Sequence, residues 1–135
     1  MDTKQHAKLV KHIKNSFRAA LLERGLKRGC REVKAALNKQ SVLFCCTAHA
    51  AVGSAIHPEI EQVHLLCERK RVPVIETDGE LLLEWAFPEA ENKVKKNRKC
   101  AAVGVTSGDG KQTHDVQAVL DLVQEQTNTP QAVST

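Results

Sequence analysis

The sequence contains no tyrosine, one tryptophan and three phenylalanines in 135 residues. Proteins that read RNA by stacking bases on surface rings need aromatics in number, so this shortage counts against that mode of recognition. Long apolar runs are missing too. None approaches the ~20 residues of a membrane span, and the amino-terminal MDTKQHAKLVKH is too charged for a secretory signal. The expected address is the cytosol or nucleus, with no membrane partner. The five cysteines, Cys30, Cys45, Cys46, Cys67 and Cys100, are odd in number and irregularly spaced, against a disulfide framework. No Cys-x-x-Cys or His-x-x-x-His pair occurs among them and the scattered His6, His12, His49, His57, His64 and His114, so no metal is expected. Cys45 and Cys46 are neighbours on a strand, point to opposite faces and read as buried free thiols.

At this length one domain buries roughly 65–70 % of its unfolded surface and needs no staple. We expect it to occupy residues 1–126, with a disordered tail over 127–135 that lacks any apolar period. The formal net charge is +4, but it is unevenly placed. Residues 1–40 carry 11 basic and 3 acidic side chains, residues 41–90 carry 3 and 8, and residues 91–135 carry 6 and 5. One side of the molecule should therefore be basic and suited to a polyanion, another acidic and suited to solvent or a basic neighbour.

Val10, Ile13, Phe17, Ala20 and Leu21 recur at helical spacing, predicting an amphipathic helix from Lys4 to Arg24, ended by Gly25. A second helix is predicted from near Gly29 with Cys30, Val33, Ala36 and Leu37 inward. Ser41–Thr47 reads as a strand buried on both faces. Pro58 suits the first turn of a helix burying Ile60, Val63, Leu66 and Cys67, and Val72–Thr77 is a second strand. Strand, helix and strand over this length make a crossover, so the two strands should be parallel. Asp78-Gly79 starts a short helix stopped by Pro88. A polar link then leads to a strand at Cys100–Thr106 and a last helix with Val116, Val119, Leu120 and Val123 inward. The fold class expected is α/β, a three-layer α/β/α sandwich.

Three features could carry chemistry. The turn after Cys100–Thr106 has the order of a phosphate loop, but five residues separate Gly104 from Gly110, and Gln112 follows Lys111 where a hydroxyl should bind magnesium. Glu59, Glu61, Glu76, Asp78, Glu80 and Glu84 fall at helix starts and turns, where they cap or face solvent. A small nucleotide-binding or thiol enzyme is thus a weaker reading, and no catalytic residue, cofactor or small-molecule substrate is expected. The basic residues form three clusters: Lys4, Lys8, Lys11, Lys14 and Arg18 on one face of the first helix; Lys27, Arg28, Arg31 and Lys34 around a helix start; and Lys93, Lys95, Lys96, Arg98 and Lys99 in the link. In the second cluster Gly29 permits close backbone approach, and the helix-start amides point at whatever anion the arginines attract. With no interleaved aromatics, such clusters read phosphate and shape rather than bases.

The stretch GLKRGCREVKAAL over 25–37, the VLFCCT strand, His64-Leu-Leu-Cys-Glu68 and Leu83-Glu-Trp-Ala86 occur in this order, followed by the basic link, the Cys100-Ala-Ala-Val-Gly-Val strand and Asp115-Val116. Together they resemble the eukaryotic small-subunit ribosomal protein twelve family, within the superfamily of kink-turn RNA-binding ribosomal proteins. The resemblance implies a mixed sheet with a fourth strand at Leu26–Arg28. It also implies a structural role at the beak of the small subunit, with ribosomal RNA and neighbouring ribosomal proteins as partners, in cytoplasmic ribosomes after nucleolar or nuclear assembly. Kink-turn binders carry Gly-x-Asn-Glu and, after two residues, Lys. Gly29 and Glu32 match; Arg31 stands in place of the Asn, as in the small-subunit family, and Ala35 in place of the Lys. A kink-turn module of another ribonucleoprotein is the alternative.

Overall fold

A computed structural model describes residues 3–39, 42–49, 53–87, 100–106 and 114–128. In chain order the elements are α1 (Thr3–Leu22), β1 (Leu26–Arg28), α2 (Cys30–Asn38), β2 (Val42–Ala48), α3 (His57–Lys70), β3 (Val74–Thr77), α4 (Gly79–Ala86), β4 (Ala102–Thr106) and α5 (His114–Asn128). The last helix reaches Asn128, two residues into the segment expected as a tail; residues 129–135, like the link 88–99 and the turn 107–113, lie outside the described residues.

The strands form one mixed sheet in the order β1-β4-β2-β3. β2 and β3 are parallel, as the crossover through α3 requires, and β4 runs antiparallel to both β1 and β2. Helices cover both faces. Leu9, Ile13, Phe17 and Ala20 of α1 pack with Leu82, Trp85 and Ala86 of α4 and Val116 and Val119 of α5 on one face, against Phe44, Cys46, Val103 and Val105. On the other, Cys30, Val33, Ala36 and Leu37 of α2 meet Ile60, Val63 and Cys67 of α3 over Cys45 and Ala102. Cys45 and Cys46 do divide between the two faces, and all five cysteines are free and buried.

β2 departs from simple alternation at one point. Val42 pairs with Thr106 and Phe44 with Val105, so two residues of β2 span one of β4, a bulge at Leu43. The bulge lets Val42 join the α2/α3 core while Leu43 and Phe44 both serve the α1/α4/α5 core. Phe44 is thereby aimed at Phe17, with ring centroids 6.3 Å apart and planes inclined by 16°.

The end of α1 also differs from the expected stop at Gly25. Arg24 takes the left-handed conformation (φ 59°), with its N–H donating to Leu21 O at 3.1 Å and that of Gly25 to Ala20 O at 2.6 Å. This is a Schellman cap with arginine at the position where glycine is favoured. Glycine is needed one residue later for another reason: a Cβ on Gly25 would sit 2.7 Å from Thr106 O, because β4 ends against this turn. α3 closes the same way, with Arg71 at φ 58° and the N–H groups of Arg71 and Val72 donating to Glu68 O and Cys67 O. A left-handed arginine costs about 1–2 kcal/mol, partly offset by the greater freedom of glycine in the unfolded chain. Arg71→Gly should therefore stabilise the protein by about 0.5–1 kcal/mol, read as a higher urea midpoint at unchanged slope.

A polar contact ties α1 to α5. His12 Nδ1 lies 2.8 Å from Asp115 Oδ1, and Asn15 Nδ2 donates to the same oxygen at 3.2 Å. The hydrogen bond from His12 holds the Asp115 carboxyl below its ordinary 3.8. A depressed carboxylate stabilises the fold above the unfolded value and loses that contribution as pH falls through the folded one. Asp115→Asn should thus flatten the acid limb of the stability profile below about pH 4. At neutral pH, with the aspartate 29 % exposed, it should cost less than about 1 kcal/mol. Denaturant titrations across pH check both.

Candidate nucleic-acid interface

β1 delivers the chain to the amino terminus of α2 through Gly29. Its φ of 110° and ψ of 149° lie where side chains are rarely tolerated. Its N–H donates to Ala102 O at 2.8 Å and its carbonyl accepts from Val33 N at 3.0 Å, fixing strand, turn and helix to one another. A Cβ added here would meet nothing within 4 Å, so the dihedral selects glycine and the space outside it is open. Gly29 has no side chain to cap α2. The first turn of α2 therefore keeps backbone N–H groups without a side-chain cap and the positive end of the helix dipole, with the exposed Glu32 as the acidic side chain of that turn.

The basic residues around this corner take separate roles. Arg31 is exposed in the first turn of α2. Lys27 is half-buried and pairs with Gly104, whose outer face is covered by Val33 of α2, so it lies on the α2 side of the sheet. Lys34 stands further along α2 and donates from Nζ to Gln62 Oε1 of α3 at 2.9 Å. Arg28 turns to the opposite face. Its Nη1 donates to Ala86 O at 3.2 Å, and its guanidinium carbon lies 4.4 Å from the Phe87 ring centroid. A cation thus closes the carboxyl end of α4, where helix carbonyls lack partners.

The remaining clusters are only partly juxtaposed. Lys4, Lys8, Lys11 and Arg18 are exposed on α1, which belongs to the α4/α5 layer, across the sheet from Arg31 and Lys34. Lys93, Lys95, Lys96, Arg98 and Lys99 lie outside the described residues, but the first described residue after them, Cys100, stands at the Gly29 corner. Burial there pushes the Cys100 thiol up to about 11. Burial also raises Cys30, with Glu59 at the start of α3 adding to the effect, so a carboxylate borders the corner. Of the other carboxylates, Asp78 caps α4 by accepting from Glu80 N at 2.7 Å.

A second feature has no spacing signature. At the carboxyl ends of β2 and β3, His49, His57, His64, Glu61 and Glu76 line a recess of about 250 Å³. Glu76 reaches His49 Nδ1 at 3.4 Å and His64 Nδ1 at 3.7 Å, while Thr47 Oγ1 sits 2.8 Å from His64 Nε2. These residues come from β2 and the residue after it, from α3 and from β3, and meet only because the crossover brings the three elements together. Among the described residues no group of three or more His, Cys, Asp or Glu side chains is arranged to hold a metal ion, and no helix is long and apolar enough to cross a membrane.

No family model and no curated protein matches the chain. Solved structures do. A 15.5 kD RNA-binding protein of Giardia lamblia is 16 % identical, with a TM-score of 0.57 over 93 % of this chain and 89 % of its own. A protein of unknown function from Bacillus halodurans C is also 16 % identical, with a TM-score of 0.57 over 87 % of this chain and 98 % of its own. At this identity the likeness is one of fold: the chain has the α/β/α architecture that these two proteins share.

Proposed function

We propose that the chain is a non-catalytic structural constituent of the small ribosomal subunit, at its beak, that binds ribosomal RNA through phosphates. The observation that carries this reading is the β1-Gly29-α2 corner, where an uncapped helix start, an open approach and the Lys27 and Arg31 side chains coincide. The ordered sequence blocks of the small-subunit family support it, as does a fold shared with an RNA-binding protein. Lys34 extends the surface along α2, and Arg28 holds the corner against α4 from behind. The exposed lysines of α1 and the Lys93 to Lys99 link act as flanking contacts. Neighbouring ribosomal proteins complete the partners, with no membrane and no small-molecule substrate; the protein works in cytoplasmic ribosomes after nucleolar or nuclear assembly.

Sedimentation of the tagged protein through a sucrose gradient tests the assignment. It should travel with small subunits and be released by high salt. Recovery only in the slowly sedimenting soluble fractions would overturn it.

A further inference from the structure

Two thiols meet inside the α2/α3 layer. Cys67, near the carboxyl end of α3, is in thiol–thiol contact with Cys45 of β2, with Sγ atoms 3.6 Å apart, and the pair is 22 residues apart in sequence. Cys46 is on the other face of the sheet, and Cys30 sits at the first turn of α2, so neither competes for this contact. Cys67 also lines an open groove of about 790 Å³, walled by Leu43, Val72, Val74, Leu120 and Val123. The contact with Cys45 holds the Cys67 thiol below its ordinary range, whereas Cys45, behind it, is pushed up by the same contact and by burial. Cys67, only 1 % exposed, thus borders the groove, with the fully buried Cys45 in contact behind it. That is the arrangement of an attacking and a resolving cysteine.

We propose that Cys67 and Cys45 are a site of reversible oxidation by hydrogen peroxide. The Cys67 thiolate attacks one peroxide oxygen, the O–O bond breaks, and the departing hydroxide takes up a proton as water, leaving Cys67 as the sulfenic acid. The Cys45 sulfur then attacks Cys67 Sγ, the S–O bond breaks, and the Cys45 proton leaves with the hydroxyl as a second water. The two thiols lose two electrons and two protons in all, and the peroxide is reduced to two waters. Closing the gap to the ~2.05 Å of a disulfide needs the last turns of α3 to approach the sheet by about 1.5 Å. The bond then staples α3 to β2, and a thiol reductant reverses it.

Reduced full-length protein is exposed to graded hydrogen peroxide, its remaining thiols are alkylated under denaturing conditions, and its peptides are weighed. The expected product is a Cys45–Cys67 cross-link, lighter by two hydrogens, that dithiothreitol abolishes and that raises the thermal midpoint of the oxidised protein. In Cys45→Ser the resolving thiol is gone, and Cys67 should accumulate as sulfinic acid. Where that variant does not fold, the wild-type cross-link decides alone. A Cys67 that stays a free thiol at peroxide levels that oxidise glutathione would overturn the proposal. So would overoxidation of Cys67 beside unmodified Cys45 in the wild type, or a dominant disulfide through any other cysteine.

Discussion

Phe44→Ala should lower the folding stability by about 3–5 kcal/mol, the cost of a large cavity where the neighbours cannot collapse. Phe44 is fully buried, stacked on Phe17 and placed by the Leu43 bulge where α1 meets the sheet. Its neighbours are fixed from both sides. α1 is tied to α5 through His12 and Asp115, and β4 holds β2 through its hydrogen-bonded ladder, so neither wall is free to close the gap. For a domain whose whole stability is about 5–15 kcal/mol this is a large fraction, and the thermal midpoint should drop by about 10 °C or more. Calorimetry reads it directly. A loss below about 1 kcal/mol would mean that the α1 layer is not packed as described.

The largest expected effect on function comes from Lys27→Glu combined with Arg31→Glu. Both positions flank the uncapped start of α2, and neither is in a buried core, so the fold should tolerate the change. Two reversals replace phosphate attraction with repulsion and should weaken RNA binding about 100-fold, roughly 2.7 kcal/mol. Arg28→Ala makes an instructive companion. It removes the cation from the α4 terminus and from Phe87, so its effect on RNA should come with a loss of about 1–2 kcal/mol of stability, which the double reversal lacks. Circular dichroism melts beside a filter-binding titration separate the two.

How much of this was legible in the sequence varies by element. The buried stripe of α2 agrees residue for residue with the periodicity of Cys30, Val33, Ala36 and Leu37, because a helix repeats its own pattern locally. The parallel pairing of β2 with β3 followed from a crossover of the right length. β1 is different. Leu26-Lys27-Arg28 has no apolar pattern of its own and becomes a strand only by pairing with Val103–Val105, far along the chain, so only the family resemblance pointed to it. The Leu43 bulge was invisible too, since a run buried on both faces carries no alternation that an extra residue could break.

The candidate site was legible in part. Gly29 and the charges around it could be read as an anion-attracting helix start, because that inference needs only neighbouring residues. That Arg28 points away from Arg31 follows from strand alternation once β1 is known, and its partners, Ala86 and Phe87, come from a helix that sequence distance conceals. The histidine recess and the Cys45–Cys67 contact likewise join residues from different elements and leave no spacing to detect.

The most direct test of the central claim, that the Gly29 corner holds folded RNA by its phosphates, is the salt dependence of binding to small-subunit ribosomal RNA for the wild type and the Lys27→Glu/Arg31→Glu protein. With about five phosphates engaged, the logarithm of the wild-type association constant should fall with the logarithm of salt at a slope of roughly −4, and the double variant should show a slope shallower by about 1–2. A flat response in the wild type, or the same slope and affinity in both proteins, would contradict it.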